Sequence, residues 1–136
     1  MRVYVAAKFE DAVEARAVMN GLEQEGHEIT HDWTHEDEAG RTGMELDHYL
    51  GGCAQGDLEG VRAAEAILLL HHDRLCGGLV ELGAALADPD KIVAVVGGMD
   101  AAVQPIFYRL PAVNHFNAAR QAIAYLGLVE RLRSAV

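Results

Sequence analysis

Two hydrophobic periods alternate along this chain, and each switch between them marks an element. Val3-Tyr4-Val5-Ala6-Ala7 is a short apolar run that reads as a buried strand. Lys8-Phe9-Glu10 leads into a helix, with Asp11 and Glu14 spaced as a capping box. Val13, Ala17, Val18 and Leu22 give that helix an inner face, and Gly26 suits a left-handed stop. His27 to Thr30 reads as a second strand ending near His31-Asp32-Trp33. Strand, helix, strand is the opening of a parallel α/β sheet. Thr34 to Gly43 is polar and acidic, hence a loop. From Met44 onward, Leu46, Leu50, Cys53, Asp57, Val61 and Ala64 recur at steps of four, three, four, four and three. They define one helical face, so Asp57 sits on the apolar stripe. Gly51, Gly52 and Gly56 predict a break or kink before it.

Ala66 to Leu70 is wholly apolar and the best candidate for a central strand. His71 to Leu75 leaves its carboxyl end and feeds Gly77-Gly78 and another helix. Asp88-Pro89-Asp90 is a turn, and Lys91 to Val96 is a further buried strand ended by Gly97-Gly98. Met99 to Pro105 reads as irregular, Ile106-Phe107-Tyr108 as a short fifth strand, and Leu110-Pro111 as its close. Ala119, Ile123, Leu126 and Val129 mark a final amphipathic helix. No repeat, linker or low-complexity segment interrupts the pattern. Residues 1–136 are expected to form a single three-layer α/β domain with a five-stranded, mostly parallel sheet of flavodoxin-like or Rossmann-like type.

Composition narrows the partners. Apolar residues make up 51% of the 136, with no long uncharged apolar run, so a soluble chain without a membrane span is expected. The amino terminus runs straight into a strand and lacks signal-peptide features. Cys53 and Cys76 are too few for a disulfide framework, and reduced thiols in the cytoplasm are expected. Eleven basic against 21 acidic residues give a net charge of −10, which disfavours nucleic acid and anionic membranes. A small substrate or a protein partner fits better.

The chemistry gathers around Cys76 to Ala87. Past the two glycines this stretch carries one charged group, Glu81, in a helix that is otherwise apolar or small. A buried carboxylate needs a partner or a task, although a position in the first helical turn would be favoured by the macrodipole alone. In open parallel sheets ligands bind outside the carboxyl ends of the strands. Those ends collect Tyr4 to Phe9, His31 to Trp33, His71 to Gly78 and Gly97-Gly98, with Glu81 one turn into the adjoining helix. Asp57 approaches the same crevice from the side. Two carboxylates there suit covalent or acid–base work at an acetal-like carbon.

At these residues the chain resembles a known family. Asp57-Leu58-Glu59-Gly60-Val61, the apolar strand, and then Gly77-x-x-x-Glu81-Leu82-Gly83-x-Ala85 look like the nucleoside 2-deoxyribosyltransferases and the related 2'-deoxynucleoside 5'-phosphate N-hydrolases. The opening strand with Tyr4 and the Lys91 to Val96 strand also fit, so the resemblance spans roughly residues 2 to 97. It implies that Glu81 is the nucleophile attacking C1' of the sugar to form a glycosyl ester. It implies that Asp57 places the sugar and assists proton transfer, and that Tyr4 orients the nucleophile. A free nucleobase or water would then attack the ester, giving exchange or hydrolysis. The ligand implied is a nucleoside or nucleotide, and a homo-oligomer is implied with it.

Two departures stand out. Transferases of the family carry an Asp six residues before the nucleophile to protonate the leaving base; here that position is Leu75, and Asp73 or His71 would have to serve. The serine-rich pattern that holds a 5'-phosphate is replaced by Ala6-Ala7-Lys8, where Lys8 offers a point charge. Phe9, Trp33, His71, Asp73, Gly77 and Asn114 complete the substrate-binding candidates, with Trp33 suited either to stacking on a base or to packing. Asn114 and His115 would complete a site in this subunit or a neighbour's. His31-x-x-x-His35 with Asp32, and His71-His72-Asp73, lack tetrahedral spacing, so neither a metal nor another cofactor is expected. Cys76 reads as a small loop residue rather than a nucleophile. The competing readings are a nucleotide-binding domain without turnover and a receiver-like phosphoacceptor with Asp73 at the central strand.

Overall fold

A computed structural model describes residues 1–100 and 105–136 of the chain. The strands are β1 (Arg2–Ala6), β2 (Glu28–Ile29), β3 (Ala66–Leu70), β4 (Ile92–Val96) and β5 (Val113–Phe116). The helices are α1 (Ala12–Gln24), α2 (Gly43–Ala63), α3 (Gly77–Leu86) and α4 (Ala119–Ser134). The strands form one sheet in the order β2-β1-β3-β4-β5, and every pairing is parallel. This is the flavodoxin-like order, in which the winding direction reverses between β1 and β3. Helices α1 and α4 pack together on one face, and α2 and α3 on the other. The three-layer α/β architecture expected from the sequence is the one observed.

Burial explains the pattern. All five residues of β3 are buried, and Val3, Tyr4, Val5 and Ala6 of β1 have no exposed surface. Both strands lie inside the sheet with helices on either side, so they read as apolar runs rather than alternations. Val3 pairs with Ala66 and Ala66 with Ile92, which sets the carboxyl ends of β1, β3 and β4 side by side. The turn after α1 uses Gly26 at φ 88°, as its position suggested.

Four local readings need correction. The Asp11 side chain makes no capping hydrogen bond, because a 3-10 turn over Phe9–Asp11 precedes α1. The inner face of α1 is Ala15, Val18, Met19 and Leu22; Val13 is 80% exposed and Ala17 is exposed too. Val18 and Leu22 belong to two overlapping stripes, and packing buries the one that includes Ala15 and Met19. The fifth strand is Val113–Phe116, not Ile106 to Tyr108, which form a 3-10 turn after Pro105. Only Tyr108 of that turn is buried, while Ile106 and Phe107 lie outside the core. Part of the Met99 to Pro105 stretch lies outside the described residues.

The fourth correction concerns α2, which runs unbroken for 21 residues through all its glycines. Gly51 and Gly52 face open space, whereas Gly60 sits where the helix crosses β1 and the end of β2. A Cβ there would come within 2.8 Å of His31 Cβ and 2.9 Å of the Tyr4 ring. Thr30 Oγ1 donates to the Gly60 carbonyl at 2.8 Å, and Lys91 Nζ donates to the Arg62 carbonyl at 2.9 Å, so the carboxyl-terminal half of α2 is pinned to the sheet. That contact brings Asp57 toward the strand ends. Gly60→Ala is expected to destabilise the fold by about 2 kcal/mol through overpacking. Gly51→Ala, free of contacts, should stabilise it by about 0.5–1 kcal/mol. Urea unfolding of both variants checks the contrast; equal effects would contradict it.

Candidate active site

A cleft of about 250 Å³ opens at the carboxyl ends of β1 and β3, where the sheet order reverses. Tyr4, on β1, is fully buried, and its hydroxyl donates to Glu81 Oε2 across the mouth of the sheet. Glu81 is 8% exposed and borders the cleft. Helix α3 begins at Gly77 and has no acidic residue in its first turn, so the macrodipole alone does not account for Glu81. Burial pushes the Glu81 carboxyl up to about 7; the Tyr4 hydrogen bond opposes that rise and the Asp57 and Glu36 carboxylates add to it. Burial, then Glu81 itself, drives the Tyr4 phenol far above its usual range, so it stays a neutral donor.

Asp57 faces the same cleft from α2. Burial first, then the neighbouring Glu36, raises its carboxyl to about 6, against a lowering by His31. His31 Nε2 lies 3.2 Å from Glu36 Oε1 and 3.3 Å from Asp57 Oδ1. The second approach is not aligned as a hydrogen bond, and Asp57 Oδ1 has no other partner. Sequence spacing does not link Glu36 and His31 to Asp57. They sit in a run crowded with acids and histidines, where spacing carries no signal. Donor atoms of His31, Glu36 and Asp57 lie within 4.8 Å of one another, a set that could hold a metal ion. Each histidine cluster suggested by spacing keeps one pair, His35 with Asp32 and His71 with Asp73, while His31 turns to Glu36 and Asp57 and His72 to Glu10.

The turn carrying Trp33 is built locally. Asp32 Oδ1 accepts from the Thr34 amide at 2.9 Å, and Arg16 of α1 donates to the Thr34 carbonyl at 3.2 Å. Trp33 Nε1 donates to the Val5 carbonyl at 2.7 Å, which leaves its ring 6.2 Å from that of Phe9. Phe9, Trp33, Lys8 and Gly77 all line the cleft. Cys76 stands beside Gly77 at its rim, and Leu75 turns inward, its side chain against Gly78.

Three candidates are not brought to this cleft. His71 Nδ1 meets the Tyr108 hydroxyl at 2.8 Å, and its Nε2 meets Asp73 Oδ1 at 3.1 Å. Gly98, at φ 66°, backs onto the same imidazole, so His71 and Asp73 are committed to fixing the loop after β3. Asn114 lies on β5, where its amide donates to the Val93 carbonyl at 3.0 Å, and it does not line the cleft in this chain.

The whole fold is shared with a solved structure, the Clostridium botulinum CMP N-glycosidase BcmB, at a TM-score of 0.63. The match covers 95% of this chain and 99% of that one at 17% identity, and at that identity it establishes the fold. No protein-family model matches the chain, and no curated protein matches it in sequence.

The Glu81 environment predicts a stability signature. In the fold its carboxyl keeps its proton up to about pH 7, against an ordinary value of 4.5. The folded chain therefore holds an extra proton between those values, and the associated stability is complete below pH 4.5 and lost as pH rises through about 7. Glu81→Gln keeps the acceptor for Tyr4 without the buried charge. It should melt roughly 10 °C above the unsubstituted protein at pH 8, with most of that gap gone near pH 5. Calorimetric scans at the two pH values check this, and equal melting at pH 8 would contradict the burial of a charge at Glu81.

Proposed function

We propose that the chain hydrolyses the N-glycosidic bond of a nucleoside 5'-monophosphate through a covalent glycosyl ester on Glu81. The observation that carries this reading is a pair of raised carboxyls at one cleft, Glu81 held by a neutral tyrosine and Asp57 beside it, which share about one proton near neutral pH. The motif spacing of Asp57 and Glu81, and a fold shared with a CMP N-glycosidase, support it. Lys8 and the amino-terminal backbone of α3 at Gly77 and Gly78 border the same cleft and suit an anion such as a 5'-phosphate.

In this reading Glu81 attacks C1' as the bond to the base breaks, and the bonding electrons leave with the base nitrogen. Tyr4 keeps the attacking oxygen aligned, and its hydrogen bond favours the ionised form of Glu81. Asp57, protonated, hands its proton to the departing base, a role that Leu75 cannot take. Water then attacks C1', the ester to Glu81 breaks, and Asp57 takes a proton from the water. Two displacements retain the configuration at C1'. Phe9 and Trp33 offer apolar ring surface beside the reacting bond. Transfer to a free nucleobase, a single working domain over residues 1–136, a cytoplasmic location and a homo-oligomer belong to the same reading.

The buried leucine at position 75 favours one other reading, a nucleotide-binding domain without turnover. Incubation with a panel of nucleosides and their monophosphates, with and without a second base, followed by chromatography, separates the two. Release of free base supports hydrolysis; calorimetric binding with no base released supports the binding domain. Glu81→Ala should lower turnover by at least about 1,000-fold, and a folded variant working at the unsubstituted rate would exclude the mechanism.

The pH profile gives a further check. Glu81 must be ionised and Asp57 protonated; their carboxyls titrate near 7 and near 6, so this productive arrangement is the minor of the two one-proton forms. Turnover should therefore follow a bell with limbs in that range, owned by the pair rather than by either residue. Asp57→Asn should remove a limb of the bell, and an unchanged profile would count against the assignment.

A further inference from the structure

His31, Glu36 and Asp57 reach one point from three separate elements. His31 follows β2, Glu36 closes the 3-10 turn over Trp33–His35, and Asp57 comes from α2. Each is fixed in place by its own surroundings. Gly60 and Gly56 let the His31 side chain lie against α2, and the Glu36 amide donates to the Trp33 carbonyl at 3.1 Å. Asp57 stands well inside a helix of 21 residues. Among the described residues, no other three His, Cys, Asp or Glu side chains bring their donor atoms within 4.8 Å of one another.

The spacing is that of a ligand set. His31 Nε2 lies 3.2 Å from Glu36 Oε1 and 3.3 Å from Asp57 Oδ1. Ligand atoms about 2 Å from a tetrahedral zinc ion stand about 3.3 Å from each other. Asp57 Oδ1 is wholly buried and has no hydrogen-bond partner, so an acceptor is left over at this point. Glu36 and Asp57 also meet each other, and two carboxylates in contact need a proton or a cation between them. The Cys53 thiol, one turn before Asp57 on α2, donates to Glu36 from outside the set. An open recess of about 410 Å³, lined by His31, Glu36, His48 and Cys53, gives an ion its way in. The net charge of −10 favours a cation. An imidazole among the ligands suits a transition metal rather than magnesium or calcium, which take oxygen ligands.

We propose that His31, Glu36 and Asp57 bind one divalent transition-metal ion of the zinc class, and that this ion switches the site off. The binding stands on the geometry; the inhibition rests on the N-glycosidase reading above. The entering ion takes the place of the proton between Glu36 and Asp57, which leaves to solvent. Asp57 then ligates the metal and has no proton to give the departing base.

Titration of chelator-treated protein with Co2+ tests the site, because cobalt held by such ligands absorbs visible light. One equivalent should bind, and Zn2+ should displace it. Trp33, the only tryptophan and two residues from His31, gives a second readout through quenching of its fluorescence. His31→Gln and Glu36→Gln should each weaken binding by at least about 100-fold, whereas His72→Gln, outside the set, should leave it unchanged. Circular dichroism checks that each variant is folded. Absence of one-to-one cobalt binding, or binding that survives both His31→Gln and Glu36→Gln, would overturn the site. Saturating zinc should lower base release from a nucleoside monophosphate by at least about 100-fold, chelator should restore it, and Glu36→Gln should need far more zinc for the same loss. Turnover that rises with zinc, or is indifferent to bound zinc, would overturn the inhibition. No base release at any zinc level would sink the N-glycosidase reading and the inhibition with it, while the cobalt titration still decides the site.

Discussion

The hydrogen bond from the Tyr4 hydroxyl to Glu81 is the interaction on which the site depends. It joins the first strand to the helix after the central strand, across the point where the sheet reverses its winding. Both partners are buried, so the bond has no water to replace it if either moves. Burial alone would keep Glu81 neutral, and the phenol pulls the other way. The outcome is a carboxylate poised near neutrality rather than fixed in either form. The rest of the fold maintains that balance. Gly60 lets α2 lie against the Tyr4 ring, and Gly78 lets Leu75 tuck in beside α3.

This arrangement costs stability. A carboxyl shifted from 4.5 to about 7 corresponds to roughly 3 kcal/mol withheld from the fold at alkaline pH, a large part of a small domain's margin. Asp57, with an unpaired oxygen and Glu36 beside it, adds to the same burden. A carboxyl held there for packing alone would be better replaced by an amide or a leucine. Carboxyls at 57 and 81 and a leucine at 75 give the cleft an acidic side and an apolar one.

Much of this was legible in the chain. Asp57 on an apolar stripe and Glu81 alone in an apolar helix are violations of pattern, and violations point to sites. The central strand and its neighbours were legible because a buried parallel strand has no alternation to confuse. What escaped depends on contacts between distant segments. Glu36 looks like a solvated loop residue, and His31 at its strand end has no visible link to Asp57, until β2 and α2 bring the three together. The unbroken α2 was hidden because local propensity counts glycines as breaks, whereas Gly60 is there for Tyr4 and His31. The fifth strand was misplaced because Ile106-Phe107-Tyr108 is the more apolar run, yet Val113–Phe116 has β4 to pair with. His71 and Asp73 stood at the right strand end, but Tyr108 holds them away from the cleft.

The central claim is that Glu81 forms a bond to the sugar, and trapping that bond tests it most directly. A nucleotide with fluorine at C2' slows breakdown of the glycosyl ester by disfavouring positive charge at C1'. After incubation with such an analogue and digestion with trypsin, the peptide from Leu75 to Lys91 should gain the mass of the fluorinated sugar phosphate, and fragmentation should place it on Glu81. Base release without any adduct, or an adduct on another residue, would contradict the account.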